Sequence, residues 1–492
     1  MNASTQVEAK PRWRQARGIV RRVVATGRLV LQTPAHFGEG EADDLTDMPL
    51  ARDPKDGLPL LTGASIAGAA RNYLREWEHG YGVGYEVEHE DSLTRRLFGD
   101  VIEKESIESR LIVDDAYGSH SATELRDGVA INPETRTAEK GKLFDTELLE
   151  AGTAFDLRFE LALPEGEDGL LAGFAVALTG FKNGEIGLGT RKRRGLGQCK
   201  VEKWDVQSFD LRDGKALVQW IKGDPGARGK GTNIAEQLRL KGPLEERVPD
   251  RRHRFTLDAA FELESTLLIR SGIGDGNSPD MVHLKSRRGG RLKPILSGTS
   301  LAGAMRARGL KIAKTLDPAG GGARVNRLFG PRLKPGDKNP CASRAAVRES
   351  ELTGTRELVQ SRVRIDRFTG GTYPGALFTQ QPAIGGMGSR VNLWVEVRCP
   401  AGEPMEPEIG LLLQVLKDLW TGDLPLGGEA SVGRGRLGGI NASLTEQKDG
   451  SRHTWTIEKT DDKLRVTDSK GEDAREALEQ RFGKTLEGGQ AS

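Results

Sequence analysis

The sequence predicts an α+β protein made of two similar units in tandem, and three observations carry that expectation. The segment LLTGASIAGAARNYLRE returns as ILSGTSLAGAMRARGLK with the frame G-x-S-[IL]-A-G-A-x-R intact, and the Gly63–Gly298 and Arg71–Arg306 separations are both 235 residues. Further echoes follow in the same order, as a duplication would leave them. Within each half, a stretch of alternating polarity precedes a segment of helical periodicity, so that a strand feeds a helix able to pack back on an antiparallel sheet.

Each element can be justified in turn. Val20 to Leu31 and Phe255 to Leu268 alternate as half-buried strands do. Ser65 is expected to open a helix whose Ile66, Ala70, Tyr73, Leu74 and Trp77 share one stripe; Ser300 opens the second, with Leu301, Ala304, Met305 and Ile312. RLFG at Arg96–Gly99 returns at Arg327–Gly330, and Ser109-Arg110 returns as Ser343-Arg344. INPETRTAEKGKLF is matched by IDRFTGGTYPGALF, which puts Phe144 and Phe378 in register 234 residues apart. A glycine-rich loop closes each unit, GLGTRKRRGLG ending at Gly197 and GGEASVGRGRLG ending at Gly438, 241 residues on. The units are expected at 15–205 and 251–445, with 206–250 a flexible linker containing GDPGARGKGTN and 446–492 a charged, separate tail.

Composition narrows the function classes. Lys+Arg 73 against Asp+Glu 71 leaves +2 over 492 residues, so no net field announces a nucleic-acid partner and any basic site must be local. Gly is 64 of 492 residues, above the usual ~7%, which points to long loops around modest cores. Cys199, Cys341 and Cys399 are isolated, which argues against a disulfide framework or a zinc site and for a reducing cytoplasm. The first residues carry no apolar stretch after their basic ones, and no run of ~18 apolar residues occurs, so neither a signal peptide nor a membrane span is expected.

The chemistry of the motifs points to a phosphate backbone. Gly63 and Gly298 permit close approach, and Ser65 and Ser300 are expected as caps of helices whose first-turn N–H groups are free to hold a phosphate. Arg71 and Arg306, two turns on, would add guanidinium contacts. The plain reading of G-x-S is a turn and an N-cap; its repetition with the arginine retained favours phosphate. Arg191, Lys192, Arg193 and Arg194, with Arg434 and Arg436, sit in glycine loops able to follow an RNA strand. Gly433-x-Gly435-x-x-Gly438 spells a dinucleotide fingerprint, but Ile440-Asn441-Ala442-Ser443-Leu444 after it is not a helix. His36 has no counterpart near Arg270, so it reads as a turn-stabilising or substrate-lining residue.

Taken in order, these motifs resemble the RAMP superfamily of CRISPR-associated proteins, and within it the backbone subunit of type III RNA-guided effector complexes. The carrying motifs are Thr33-Pro34-Ala35-His36-Phe37-Gly38, the helix starts at Leu60–Gly68 and its second copy, and the late glycine loops. Two hairpin patterns complete them, one ending at Phe144 and one at Ile365–Phe378. The resemblance implies two ferredoxin-like, RRM-type domains with thumb hairpins, here marked by Phe144, Arg367 and Phe378. RNA would be bound by Gly63, Ser65, Gly68 and Arg71 and by Gly298, Ser300, Gly303 and Arg306. It further implies that an Asp in the loop before each first helix cleaves target RNA with Mg²⁺ or another divalent cation, which carries over to Asp47 and Asp280. Asp43 and Asp44 stand beside the first, and Asp275 near the second. The partners so implied are a guide RNA, a complementary target RNA and other effector subunits, with no membrane. A non-catalytic scaffold or cap subunit of the same kind of complex is the alternative. A guide-processing endonuclease fits less well, because no His-centred site repeats.

Overall fold

The structure, a computed structural model, describes residues 18–38, 49–83, 92–102, 105–132, 135, 137–228, 233–271, 279–332, 341–460 and 463–483. The first unit begins with β1 (Ile19–Leu31), whose Val23, Ala25, Leu29 and Leu31 alternate into the core. Helix α1 (Gly63–His79) follows and buries Ile66, Ala70, Tyr73, Leu74 and Trp77, the stripe that the periodicity predicts. Then come a short edge strand β2 (Leu111–Val113), a hairpin of β3 (Thr123–Ile131) and β4 (Ala138–Leu149), strand β5 (Ala154–Pro164), helix α2 (Gly169–Lys182) and strand β6 (Cys199–Asp210). The sheet runs β6-β1-β5-β2, with the short strand Ala227–Arg228 beyond β6 and every pair antiparallel, and the hairpin stands outside it. Helix α2 is apolar almost all round and buried, with Phe174 and Phe181 against Phe159 of β5.

The second unit repeats this course. It contains β7 (His253–Leu263), β8 (Met281–His283), α3 (Gly298–Leu316), β9 (Ala345–Val347), the hairpin β10 (Gln360–Ile365) and β11 (Thr372–Gln381), β12 (Val391–Cys399), α4 (Glu406–Trp420) and β13 (Leu437–Lys448). Its sheet order, β9-β12-β7-β13, is that of the first unit read from the other edge. Each unit has its own core, one drawn from residues between Val23 and Val248 and the other from residues between Phe255 and Phe482.

Four sequence expectations are corrected. Residues 446–492 are not a separate appendage: β14 (Ser451–Thr460) and β15 (Lys463–Thr467) extend the second sheet beyond β13, and helix α5 (Arg475–Phe482) puts Phe482 into the core against Phe255 and Trp455. The charges that suggested solvation lie on one face only. The segment 206–250 is no free linker either, since β6 runs to Asp210 and Ile234, Leu238 and Val248 join the first core. The helix caps are Thr62 and Ser297, whose hydroxyls accept from the N–H groups of Ser65 and Ser300, both at 3.3 Å. Ser65 and Ser300 therefore sit at the third helical position, and the capping signal lies three residues upstream of them.

The fourth correction is to the alignment of the glycine loops. Leu188 N–H donates to Gly197 C=O and Leu426 N–H to Gly435 C=O, both at 2.9 Å, and both glycines have positive φ (68° and 79°). A Cβ on either would collide with the opposite leucine carbonyl. Gly197 thus matches Gly435, not Gly438. Lys192-Arg193-Arg194 then fall opposite Ala430-Ser431-Val432, and the basic triplet belongs to the first unit alone.

Candidate functional site

The hairpins and the residues at their bases build the site. In the second unit, β8 lies parallel to the base of β11, pairing Met281 with Gln380. This brings Asp280 to Thr379: Thr379 N–H donates to Asp280 Oδ2 at 2.7 Å, its hydroxyl donates to the same oxygen at 3.1 Å, and Asp280 N–H donates to Thr379 Oγ1 at 3.1 Å. These bonds favour the carboxylate form and hold its pKa below the usual value, while the group stays exposed. Oδ1 makes no bond among the described residues. Asp47, with Asp43 and Asp44, lies outside the described residues, as does Asp275.

His283, three residues after Asp280, fixes this strand. Its Nδ1 accepts from Ile269 N–H at 3.2 Å and its Nε2 donates to Ile295 C=O at 3.0 Å, so the ring is neutral and its tautomer is set. Burial pushes its pKa down to about 4. The sequence shows this histidine in PDMVH, but only the fold reveals that both ring nitrogens meet backbone.

The base of the second hairpin is tied to the second glycine loop through Arg434. This residue, which was expected at the RNA surface, is only 2% exposed. Its guanidinium donates to Glu429 Oε2 at 2.9 Å, to Thr266, and to the amide oxygens of Gln360 and Gln380 at 3.0 and 2.8 Å. It is a structural residue. Arg436 is exposed. Beyond the base the hairpin projects freely, with Arg367 and Phe368 in its turn, Phe368 fully exposed, and Asp366 closing the turn by accepting from the N–H groups of Phe368 and Thr369.

The first unit uses the same parts differently. Arg191 lies over the Phe144 ring at 4.7 Å, and its backbone is left-handed at φ 51°. Arg193 donates to Ser343 C=O, and Arg194 to Phe329 C=O at 2.9 Å, both across to the second unit. Gly298 is small because the Arg194 carbonyl comes down on it. The first hairpin follows suit: Arg126 pairs with Glu349, Arg287 with Glu150 at 2.9 Å and Arg332 with Glu139 at 2.7 Å, while Ser286 donates to Glu124 at 2.8 Å.

The helix starts are occupied by protein groups. Gly63 N–H donates to Asp115 Oδ1 at 2.6 Å. Arg71 stands 3.7 Å from Asp100, and Arg306 donates to Gly330 C=O and, at 2.8 Å, to Asn326. Both arginines brace the turn after the RLFG helix, which explains their retention in both units without a ligand. Ser65 and Gly68, and Gly303 in the second helix, remain at the surface. His36 is buried, with Nδ1 3.0 Å from Glu147 C=O, a turn-stabilising place.

Between the units, the exposed side of α1 and the first glycine loop face the open side of the second sheet across a cleft of about 890 Å³. Ser65, Gly68, Lys192 and Arg193 line it from one side, and Arg348, Trp394 and Arg398 from the other. Among the described residues no helix is long and apolar enough to cross a membrane.

With this geometry in place, the chain belongs to the RAMP superfamily, whose family pattern matches residues 28–200 and 260–438, one segment in each unit. It is a tandem of two such domains. Among curated proteins it is similar to the CRISPR system Cms endoribonuclease Csm3 of Mycobacterium tuberculosis, 30% identical over 208 residues, which cover 36% of this chain and 86% of that protein. The protein of the same name from Streptococcus thermophilus is 26% identical over 211 residues, covering 40% of this chain and 94% of the relative. Each relative is thus matched over nearly its whole length by less than half of this chain.

Proposed function

We propose that the chain is the guide-RNA-binding backbone subunit of a type III CRISPR effector complex, with its two domains, read as ferredoxin-like, occupying consecutive positions along the guide. It cleaves complementary target RNA beside Asp280, and at a second site beside Asp47. The observation that carries this reading is the attachment of an exposed, ionised Asp280 to the foot of a free hairpin through Thr379. A hairpin standing clear of its sheet is shaped to cross a duplex as a thumb, and a carboxylate at its foot would then meet the target backbone where it bends. One carboxylate oxygen is held by Thr379, which leaves the other either to orient an attacking 2′-OH or to hold a divalent cation.

A carboxylate oxygen is chemically suited to a hard cation, and among the described residues no group of three or more His, Cys, Asp or Glu adds to it. Asp280 Oδ1 would supply one oxygen ligand, leaving the remaining positions to water and RNA oxygens, as Mg²⁺ prefers. A bound cation would neutralise charge developing on the phosphate. A carboxylate alone is a spare apparatus, and slow cleavage set by protein geometry is the expected behaviour.

A second reading has an observation of its own. The hairpin register puts Asp145 in the first unit where Thr379 stands in the second, so the neighbouring donor is replaced by another acid. This favours a first domain that binds RNA without cutting it, a scaffold role for half the chain. The assembled complex with complementary RNA and Mg²⁺ separates the readings by mapping cut positions. Asp280→Ala should erase one cut while leaving target binding within about twofold, and EDTA should stop cleavage. A second cut lost in Asp47→Ala supports two sites; a single cut lost only in Asp280→Ala supports one. Cleavage unchanged in both variants would overturn the catalytic assignment.

A further inference from the structure

Both bonds that hold Asp280 Oδ2 come from Thr379, so the carboxylate is placed only as well as Thr379 is. Thr379 lies at the foot of a hairpin whose turn is exposed, and β8 meets that foot over two residue pairs, Met281 with Gln380 and Val282 with Gln381. What pins the foot is the next residue. Gln380 is fully buried, and both ends of its amide are engaged: Oε1 accepts from the Arg434 guanidinium at 2.8 Å, and Nε2 donates to Glu429 Oε1. Glu429 Oε2 accepts in turn from Arg434 at 2.9 Å and from Arg362 of β10 at 3.1 Å. A buried cluster of charges and amides adds little net stability over an apolar filling of the same shape; what it supplies is one fixed arrangement. The first unit is built differently here. Its hairpin register puts Thr146 in the place of Gln380, and the glycine-loop match puts Arg191 in the place of Glu429, both left-handed, and Leu196 in the place of Arg434.

We infer that Gln380 is a positioning residue for Asp280: locked between Arg434 and Glu429, it fixes Thr379 beside it and Met281 across from it, and through them the carboxylate. The inference rests on the reading of Asp280 as the residue beside the cut. Gln380 is buried and acts only through these neighbours. Its part depends on the order of donors and acceptors in the cluster, which can be exchanged without changing the total charge.

The test makes that exchange. Gln380→Glu alone sets two carboxylates side by side, whereas Gln380→Glu combined with Glu429→Gln gives every donor of the cluster an acceptor again. In the assembled complex with complementary RNA and Mg²⁺, the single variant should slow single-turnover cleavage at the Asp280 cut at least about tenfold, because a misplacement of about 1 Å can cost about a hundredfold. Target affinity should stay within about twofold, and the double variant should recover to within about threefold of the unaltered rate. In the full chain alone, amide exchange at Thr379, whose N–H donates to Asp280, should quicken at least about tenfold in the single variant and recover in the double. Protection in β12 and β13 should not change. A general loosening of the second unit would raise exchange in all three places and weaken target binding, and would overturn the inference. So would a single variant that cleaves at the full rate while Asp280→Ala loses the cut, or a double variant that fails to recover. A cut that survives Asp280→Ala removes the cleavage reading, and exchange at Thr379 then decides the positioning by itself.

Discussion

The first hairpin and glycine loop are clamped onto the second unit, whereas the same two elements of the second unit face outward. Arg193 and Arg194 reach carbonyls of the second unit, but their counterparts are Ser431 and Val432, and Val432 is 58% exposed. Arg126 pairs across the units with the buried Glu349; its counterpart by hairpin register is Gln360, bound within its own unit to Arg434. Glu124 accepts from Ser286, while its counterpart Leu358 is exposed. One supersecondary device therefore serves as an inter-unit clamp in one copy and as a free surface in the other. The clamp is ionic and the free copy is held from within by a buried arginine.

The comparison breaks most severely at Glu349. Its side chain is 1% exposed and receives both Arg126 and Arg288, so Glu349→Ala takes the carboxylate from Arg288 and leaves Arg126 only its pair with Glu124 at 2.7 Å. A loss of roughly 3–5 kcal/mol is expected in denaturant unfolding, with new proteolytic cleavage in residues 123–149 and none in 360–381. Equal cleavage of both hairpins would mean that the first is not held by this contact.

Acid should separate the two sites next. His283 is neutral in the fold, with its pKa pushed down to about 4, against ~6.5 in an unfolded chain. The unfolded chain therefore takes up a proton between those values that the folded chain refuses, and stability present above pH 6.5 is lost as the pH falls toward 4. The loss is up to about 3 kcal/mol. Pairing Asp47 with Asp280 as counterparts puts Leu50 of the first unit at this position, and a leucine cannot titrate. Hydrogen exchange should show protection around Ile269 and Ile295 falling with pH while that around Leu50 holds; parallel loss in both regions would sink the assignment to His283.

The smallest effect sharpens the likeness. Thr62→Ala and Ser297→Ala each remove one cap bond of the same length, 3.3 Å, and each should cost about 1 kcal/mol in unfolding experiments. Costs differing by more than about 1 kcal/mol would show that the two helix starts are not equivalent.

The duplication, the fold class, the strand-helix order and the buried stripe of α1 were legible because each is written in local spacing. The RAMP resemblance was legible for the same reason, motif by motif. The basic residues were legible as residues but not as roles. Arg71 and Arg306 read as RNA contacts because each follows a repeated helix start, and Arg193, Arg194 and Arg434 because each sits in a glycine loop, yet each finds a protein carboxylate, amide or carbonyl in the fold.

By itself, then, the sequence determined that the chain is two RAMP domains in tandem, since periodicity and repeated motifs are properties of neighbours along the chain. Only the tertiary structure decided that Gly197 matches Gly435, that the tail completes the second sheet, and that Thr379 grips Asp280. It also decided that Arg348 lies over Trp394, its buried Nε without a hydrogen-bond partner among the described residues. Those facts depend on which backbone groups meet across distant segments, and a side chain's partner is set by that meeting and not by its own identity.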